Sequence, residues 1–373
     1  MKKALLIGGT GPTGPYIAQG LLDRGFELSI YHRGFHEIED MPPCHHIHGD
    51  PYEKEPLERD VGRDWDLVVC TYGRLRIVAD VMANRTPKLV AVGGRLAYTP
   101  PADLPFPQGL AMPYPEESPT VTEFSEERRL AFGVAHTERV VMEHHRQGHF
   151  KAAIFRYGGT TSPRTPRNYI WPIVRRIIDK RPHIIMSRTC AMFPVYATDI
   201  NAAHMILLAC DKPEADGQIF NTADERQYRA SDRIRIVADE LKHDWEMVWI
   251  DHPLAEWCAE GYTGGNWPQE VDMFKAKVLL GYRDVESPEE GIRKTARWLK
   301  ANRHLLDEPQ MDVGLGNPYA YDVEDKLIAS YKLWSEELSR DMPTPPRWGG
   351  EAGNVRQQFN PNTEAHGAGP RAD

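Results

Sequence analysis

Residues 3–7, KALLI, run directly into GGTGPTG and then into PYIAQGLLDRG, where Ile17, Leu21 and Leu22 recur at helical spacing before Gly25. A strand that turns through glycines into a helix admits few folds. Gly8, Gly11 and Gly14 stand three residues apart in it. The first permits the tight turn, the second lets a backbone approach a pyrophosphate, and the third lets the helix sit close to the sheet with its amide end facing the phosphates. Thr10 and Thr13 complete the candidate phosphate-facing set.

The chain continues in the same rhythm. FELSIYHRG, HHIHGD, DLVVC, KLVAVGG and KAAIFRYGG read as further strands with helical connections where the spacing permits. Such alternation predicts an α/β fold, a doubly wound parallel Rossmann sheet, with a smaller C-terminal substrate domain and a helical C-terminal extension. The expected division is 1–165 for the dinucleotide-binding domain, 166–300 for the capping part, 301–341 for the extension and 342–373 for a flexible tail rich in Pro, Gly, Asn and Gln. Ser231 is expected to cap the helix of SDRIRIVADELK, and Ser287 to open another.

Lys and Arg total 45 against 54 Asp and Glu, a net charge of −9 with the basic residues scattered. That excludes nucleic acid and anionic membrane as expected partners. Five widely spaced cysteines, an odd number without a Cys-x-x-Cys pair, fit a reduced cytoplasm, and no apolar segment approaches the length of a span.

The end of the second strand discriminates between nicotinamide cofactors. An acid there would hold the adenosine ribose of NAD, whereas YHRG offers Arg33, able to pair with a 2′-phosphate, so NADP(H) is expected over NAD(H). Asp50, in HGD after the third strand, is placed to meet the adenine amine or simply to make a turn.

Taken together, GGTGPTG, HIHGD, FPVYATDINAAHMILLA, GQIFNTADE and LGYRDVESPEEGIRKTARWL resemble the extended short-chain dehydrogenase/reductase superfamily, of the NAD-dependent epimerase/dehydratase type, over roughly residues 3 to 300. The resemblance implies NAD(P) bound between the two parts and a homodimer paired through helices near 74–85 and 126–147. It also implies a Ser or Thr after the fifth strand and a Tyr-x-x-x-Lys on the next helix, the tyrosine exchanging the substrate proton and the lysine lowering its pKa. This chain departs from that pattern. The serine pair matches Gly93 and Gly94, and the helix LAFGVAHTERVVM puts Phe132 and His136 at the Tyr and Lys places by helical phase, or Leu130 and Val134 when anchored on ERVVM. No Tyr or Lys occurs between Tyr114 and Lys151.

His136 is therefore a candidate both to hold the nicotinamide ribose and to donate a proton. Tyr98 and Tyr72, near carboxyl ends of strands, are the other candidate catalytic groups. His46 with His48, and His145 with His149, lack an acidic partner at a recognised zinc spacing, so no metal site is expected. Arg164 and Arg167, with Tyr169 and Trp171, form a candidate substrate loop, and Met112 and Tyr114 a candidate apolar wall. Two functions stay open. One is an NADP(H)-dependent enzyme acting on a small, partly apolar or aromatic substrate without the Tyr/Lys pair, by reduction of an activated substrate or by a non-redox or oxygen-dependent reaction. The other is an inactive NADP(H)-sensing protein.

Overall fold

The computed structural model describes residues 1–342 except 36–37, 39, 101–102, 105–111, 265–268, 313–314 and 316–318, with the side chains of 306, 307, 309, 310 and 341 also excepted. Of the expected tail, 342–373, all but Met342 lies outside the described residues. The chain forms two units, Met1–Glu324 and Asp325–Asp373.

The first unit opens β1 (Lys2–Ile7), α1 (Gly14–Asp23), β2 (Phe26–His32), β3 (His45–His48), α2 (Lys54–Asp60), β4 (Leu67–Cys70), α3 (Leu75–Met82), β5 (Lys88–Gly94), α4 (Arg129–Arg146) and β6 (Lys151–Tyr157). It continues with β7 (Gly159–Thr161), α5 (Trp171–Ile178), β8 (His183–Met186), β9 (Tyr196–Thr198), α6 (Asp199–Asp211), β10 (Gln218–Thr222), α7 (Ala230–Leu241), β11 (Glu246–Trp249), α8 (Pro253–Thr263), α9 (Phe274–Leu279) and α10 (Pro288–Ala301). A last helix, α11 (Tyr321–Asp341), begins in the first unit and runs through the start of the second.

Seven parallel strands form the main sheet in the order β10-β6-β5-β4-β1-β2-β3. Chain order reverses between β1 and β4, so the crevice beyond their carboxyl ends is where such a sheet accepts a ligand. The alternation of β1 shows why both faces are covered. Ala4 and Leu6 pack with Ile17 and Leu21 of α1 and Met205 of α6, whereas Leu5 and Ile7 pack with Leu57 of α2, Val78 of α3 and Val141 of α4. A separate apolar cluster joins α5, β8, α7, α8 and α10, in the stretch expected to be the capping part, which belongs here to the same unit as the main sheet.

Two cap expectations part company. Ser287 accepts from Glu290 N at 3.2 Å and opens α10. Ser231, however, lies buried inside the first turn of α7, which starts at Ala230; the Ala230 amide is satisfied by Met192 O at 3.1 Å instead. Among the described residues no helix is long and apolar enough to cross a membrane.

Candidate active site

The glycine turn joins β1 to α1 at the strand-order reversal. Gly8 and Gly9 take φ of +96° and +86°, and Gly8 N donates to Tyr31 O at 2.9 Å. A Cβ on Gly14 would stand 1.7 Å from the Gly9 carbonyl oxygen, so helix and turn approach as closely as backbone permits. A Cβ on Gly11 would meet nothing within 4 Å. This glycine faces open space, the cradle a pyrophosphate needs.

That space belongs to a cleft of about 1140 Å³. Its lining includes the glycine turn, with Thr10 and Thr13, together with Arg33, Tyr72, Tyr157, Arg164, Arg167 and Trp298. Arg33 is exposed just past β2. Its Nη2 donates to Tyr72 Oη at 2.8 Å, and its guanidinium lies 5.3 Å and 5.4 Å from the ring centres of Phe35 and Tyr72. The cation is thus held on the cleft wall by the Tyr72 hydroxyl and the two rings. The hydroxyl and ring of Tyr72 are in turn engaged with this arginine. Asp50 accepts from Tyr52 N at 2.9 Å and makes the turn that was its alternative reading; it is not among the cleft-lining residues.

At the carboxyl end of β5 the geometry distinguishes the two helix registers. A Cβ on Gly94 would lie 3.4 Å from Val134 Cγ1, and one on Gly93 3.3 Å from Glu138 Oε1. Val134 and Glu138 are the α4 residues presented there. Phe132 and His136 occupy another face, stacked on each other at 5.8 Å, with Phe124 edge-on to Phe132 and Arg139 above it. Val134, of the alignment anchored on ERVVM, is thus the α4 residue nearest the Gly94 end of β5, while Leu130 one turn earlier is 68% exposed and neither of them is among the described residues lining the cleft. His136 is not among the described residues lining the cleft.

Tyr98 is buried away from the cleft, its hydroxyl donating to Asn221 Oδ1 at 2.6 Å and its ring stacked on Tyr114. Burial pushes its pKa up to about 12, so it holds its proton at neutral pH. Beneath it, Arg156 of β6 donates to Glu138 at 2.8–3.2 Å and to Glu116 O at 2.8 Å. Sequence reasoning missed Tyr157, the next residue, whose phenol is buried beside Thr13 where the cleft meets the sheet; burial raises its pKa. Its place at a strand's carboxyl edge was the available signal.

Of the expected substrate loop, Arg164 and Arg167 do line the cleft, and Arg164 pairs with Asp40 across it. The two aromatics do not. Trp171 is buried in the capping core with Nε1 donating to Asp312, and Tyr169 packs edge-on to Tyr196. Met112 and Tyr114 likewise belong to the main core. Of the paired histidines, His149 lies beyond the end of α4, with the chain turned at Gly148 (φ +77°), and bonds His144 at 2.9 Å; His145 accepts from Ala152 N.

Asp224, just after β10, is buried, accepting from Thr198 N at 2.9 Å and Asn201 Nδ2 at 2.8 Å. Desolvation pushes its pKa up to about 7, from an ordinary value of 3.8. Between those values the folded chain keeps a proton the unfolded chain has released. This stability is therefore complete below about pH 4 and lost as pH rises through about 7, a few kcal/mol at most. Asp224→Asn, which preserves the acceptor oxygen, is expected to flatten the dependence of unfolding free energy on pH across that window. Parallel slopes for both proteins in denaturant titrations would refute this.

No family model matches this chain. The uncharacterized Escherichia coli protein YbjS is 26% identical over 127 residues, a stretch covering 28% of this chain and little more than a third, 37%, of that protein. Solved structures match far more widely. An epimerase from Methanothermobacter thermautotrophicus superposes with a TM-score of 0.64 at 15% identity, covering 82% of this chain and 94% of its own. The dTDP-glucose 4,6-dehydratase of Streptomyces venezuelae, whose structure holds NAD, gives 0.63 at 18%, covering 83% and 99%. The UDP-glucose 4-epimerase of Thermotoga maritima gives 0.62 at 16%, covering 81% and 99%. The fold is the one these epimerase and dehydratase structures share. Within it, the glycine turn of this chain stands where the strand order reverses, and the cleft opens beyond it.

Proposed function

We propose that this chain is an atypical extended short-chain dehydrogenase/reductase that binds NADP(H) along the glycine turn and acts on a small oxygen-bearing substrate held by Arg164 and Arg167. The observation that carries the reading is the open space over Gly11 with Arg33 held at the β2 end of the same cleft. The turn's amides and the α1 N-terminus would hold the pyrophosphate, and Arg33 the 2′-phosphate. When bound, the nicotinamide would supply hydride chemistry at the carboxyl edge of the sheet.

What the protein itself adds there is positioning. With glycines at 93 and 94, aliphatics at 130 and 134, and the Tyr98 proton committed to Asn221, the usual general acid is missing, a loss of about 10²–10⁴-fold for an ordinary carbonyl. The substrate must then be activated already, or the reaction must be non-redox or oxygen-dependent. The rival is an NADP(H) sensor, favoured by that same loss. The cleft supports the enzyme, because about 1140 Å³ continuing to Arg167, Trp298 and Met311 exceeds the space of one ordinary small ligand.

Titration of NADPH and NADH decides the cofactor. Arg33→Ala is expected to weaken NADPH by about 10–100-fold, the worth of charge-assisted hydrogen bonds, and to leave NADH nearly unchanged. Equal affinity of the unmodified protein for both would overturn the preference. We infer also a homodimer through α3 and α4, which pack side by side and leave Leu130 68% exposed. Light scattering at micromolar concentration is expected to give twice the chain mass; the single-chain mass refutes it.

A further inference from the structure

The edge of the main sheet carries a cluster that the cofactor reading does not use. His48 of β3 is in register with His32 of β2, and His46 with Ile30. Residues two apart on a strand share a face, so His32, His46 and His48 all project from one side of the edge. Each offers a ring nitrogen, and those nitrogens lie within 4.8 Å of one another. We propose that His32, His46 and His48 form a binding site for a borderline divalent cation, Zn²⁺ first among them.

The donor set selects the ion class. Three imidazoles suit Zn²⁺, Cu²⁺ or Ni²⁺, whereas Mg²⁺ and Ca²⁺ require oxygen ligands. The spacing fits as well. A tetrahedral zinc with bonds of about 2.0–2.1 Å sets its nitrogens roughly 3.4 Å apart. His32 Nε2 and His46 Nδ1 already stand at 3.0 Å. His48, exposed on the edge strand, sets its ring edge-on to those of His32 and His46, with centres 4.9 Å and 6.4 Å away.

The second nitrogens are positioned too. Cys44, on the same face two residues before His46, lies 3.7 Å from His46 Nε2 and can take that ring's proton in a hydrogen bond, directing Nδ1 at the ion. His32 Nδ1 faces the Gly34 amide at 3.2 Å, which places the neutral ring's proton on Nε2, between the two histidines. For Nε2 to bind the cation its proton must pass to Nδ1, which requires the Gly34 amide to give up the hydrogen bond it donates there. His32 also lines the cleft, next to Arg33. The proposal itself requires no dinucleotide and stands whether or not NADP(H) binds.

The test uses untagged full-length protein, stripped with chelator and titrated with Co²⁺, followed by the visible absorption of four-coordinate cobalt and by competition with Zn²⁺. One ion per chain is expected, displaced by Zn²⁺ and untouched by Mg²⁺. His46→Asn and the exposed His48→Asn should each weaken binding by roughly tenfold or more, with unchanged thermal melting of the metal-free protein. Substoichiometric binding, or affinity unchanged in both variants, would overturn the site. So would loss of binding in His149→Asn with the edge histidines intact, since that assigns the ion to the pair beyond α4.

Discussion

Gly11→Ala and Gly14→Ala, three residues apart in one turn, are expected to fail in different ways. At Gly14 the new methyl would lie 1.7 Å from a backbone oxygen, with the Gly9 carbonyl carbon and Cα also inside contact distance. Backbone cannot rotate aside as a long side chain can. The turn or α1 must shift, costing about 1–3 kcal/mol as overpacking does, and the cradle is lost with it. Gly11→Ala meets no protein atom within 4 Å, so the melting temperature should stay near that of the unmodified protein. Its methyl instead occupies the space where the pyrophosphate would lie, and NADPH affinity should fall by tenfold or more. Calorimetric titration alongside thermal melting separates the two. Undiminished NADPH binding by Gly11→Ala would remove the turn from the cofactor site, whatever happens to Gly14→Ala.

This contrast also shows what could be read from the chain alone. Strand, glycine turn and helix are local features, each fixed by a few consecutive residues, and the parallel sheet followed from the alternation of strands with helices. Arg33 could be placed just past a strand adjoining the turn, and it does line the cleft. Contacts between distant segments were less so. Helical phase alone favoured Phe132 and His136 for the face toward β5, but phase has no origin until a partner supplies one. Glu138 supplies it, through Arg156 eighteen residues away on β6. Tyr98 lost its candidacy to Asn221, which lies 123 residues further on. His46 and His48 were visibly on one strand face, yet their third member, His32, joins them only through the parallel register of β2 with β3. Trp171 and Tyr169 look like ligand-stacking aromatics in sequence, but Trp171 opens α5 inside the apolar cluster that this helix covers, and Tyr169 packs against that cluster.

Glu138→Ala is expected to be among the most destabilising single changes in the chain, by about 3–5 kcal/mol. Arg156 and Glu138 are each only 4% exposed, and the carboxylate receives three contacts from the guanidinium. Without it a permanent cation stays buried, keeping one carbonyl, Glu116 O, and the face of Tyr98 at 4.5 Å. Neither neutralises a charge, and arginine cannot shed its proton at accessible pH. Against a total stability of about 5–15 kcal/mol such a loss leaves a marginal protein. Glu138→Gln retains the shape and one acceptor and should fall between the two. The consequence reaches the site, since Arg156 is next to Tyr157 at the cleft and a Cβ on Gly93 would approach Glu138 within 3.3 Å. Arg156→Met combined with Glu138→Leu removes both charges together and should recover most of what Glu138→Ala loses, because the cost lies in the unpaired ion more than in the missing bond. Denaturant unfolding of the three proteins provides the measurement. If the double variant is no more stable than Glu138→Ala, the pair holds β6 to α4 by its hydrogen bonds, and the buried charge is not the source of the loss.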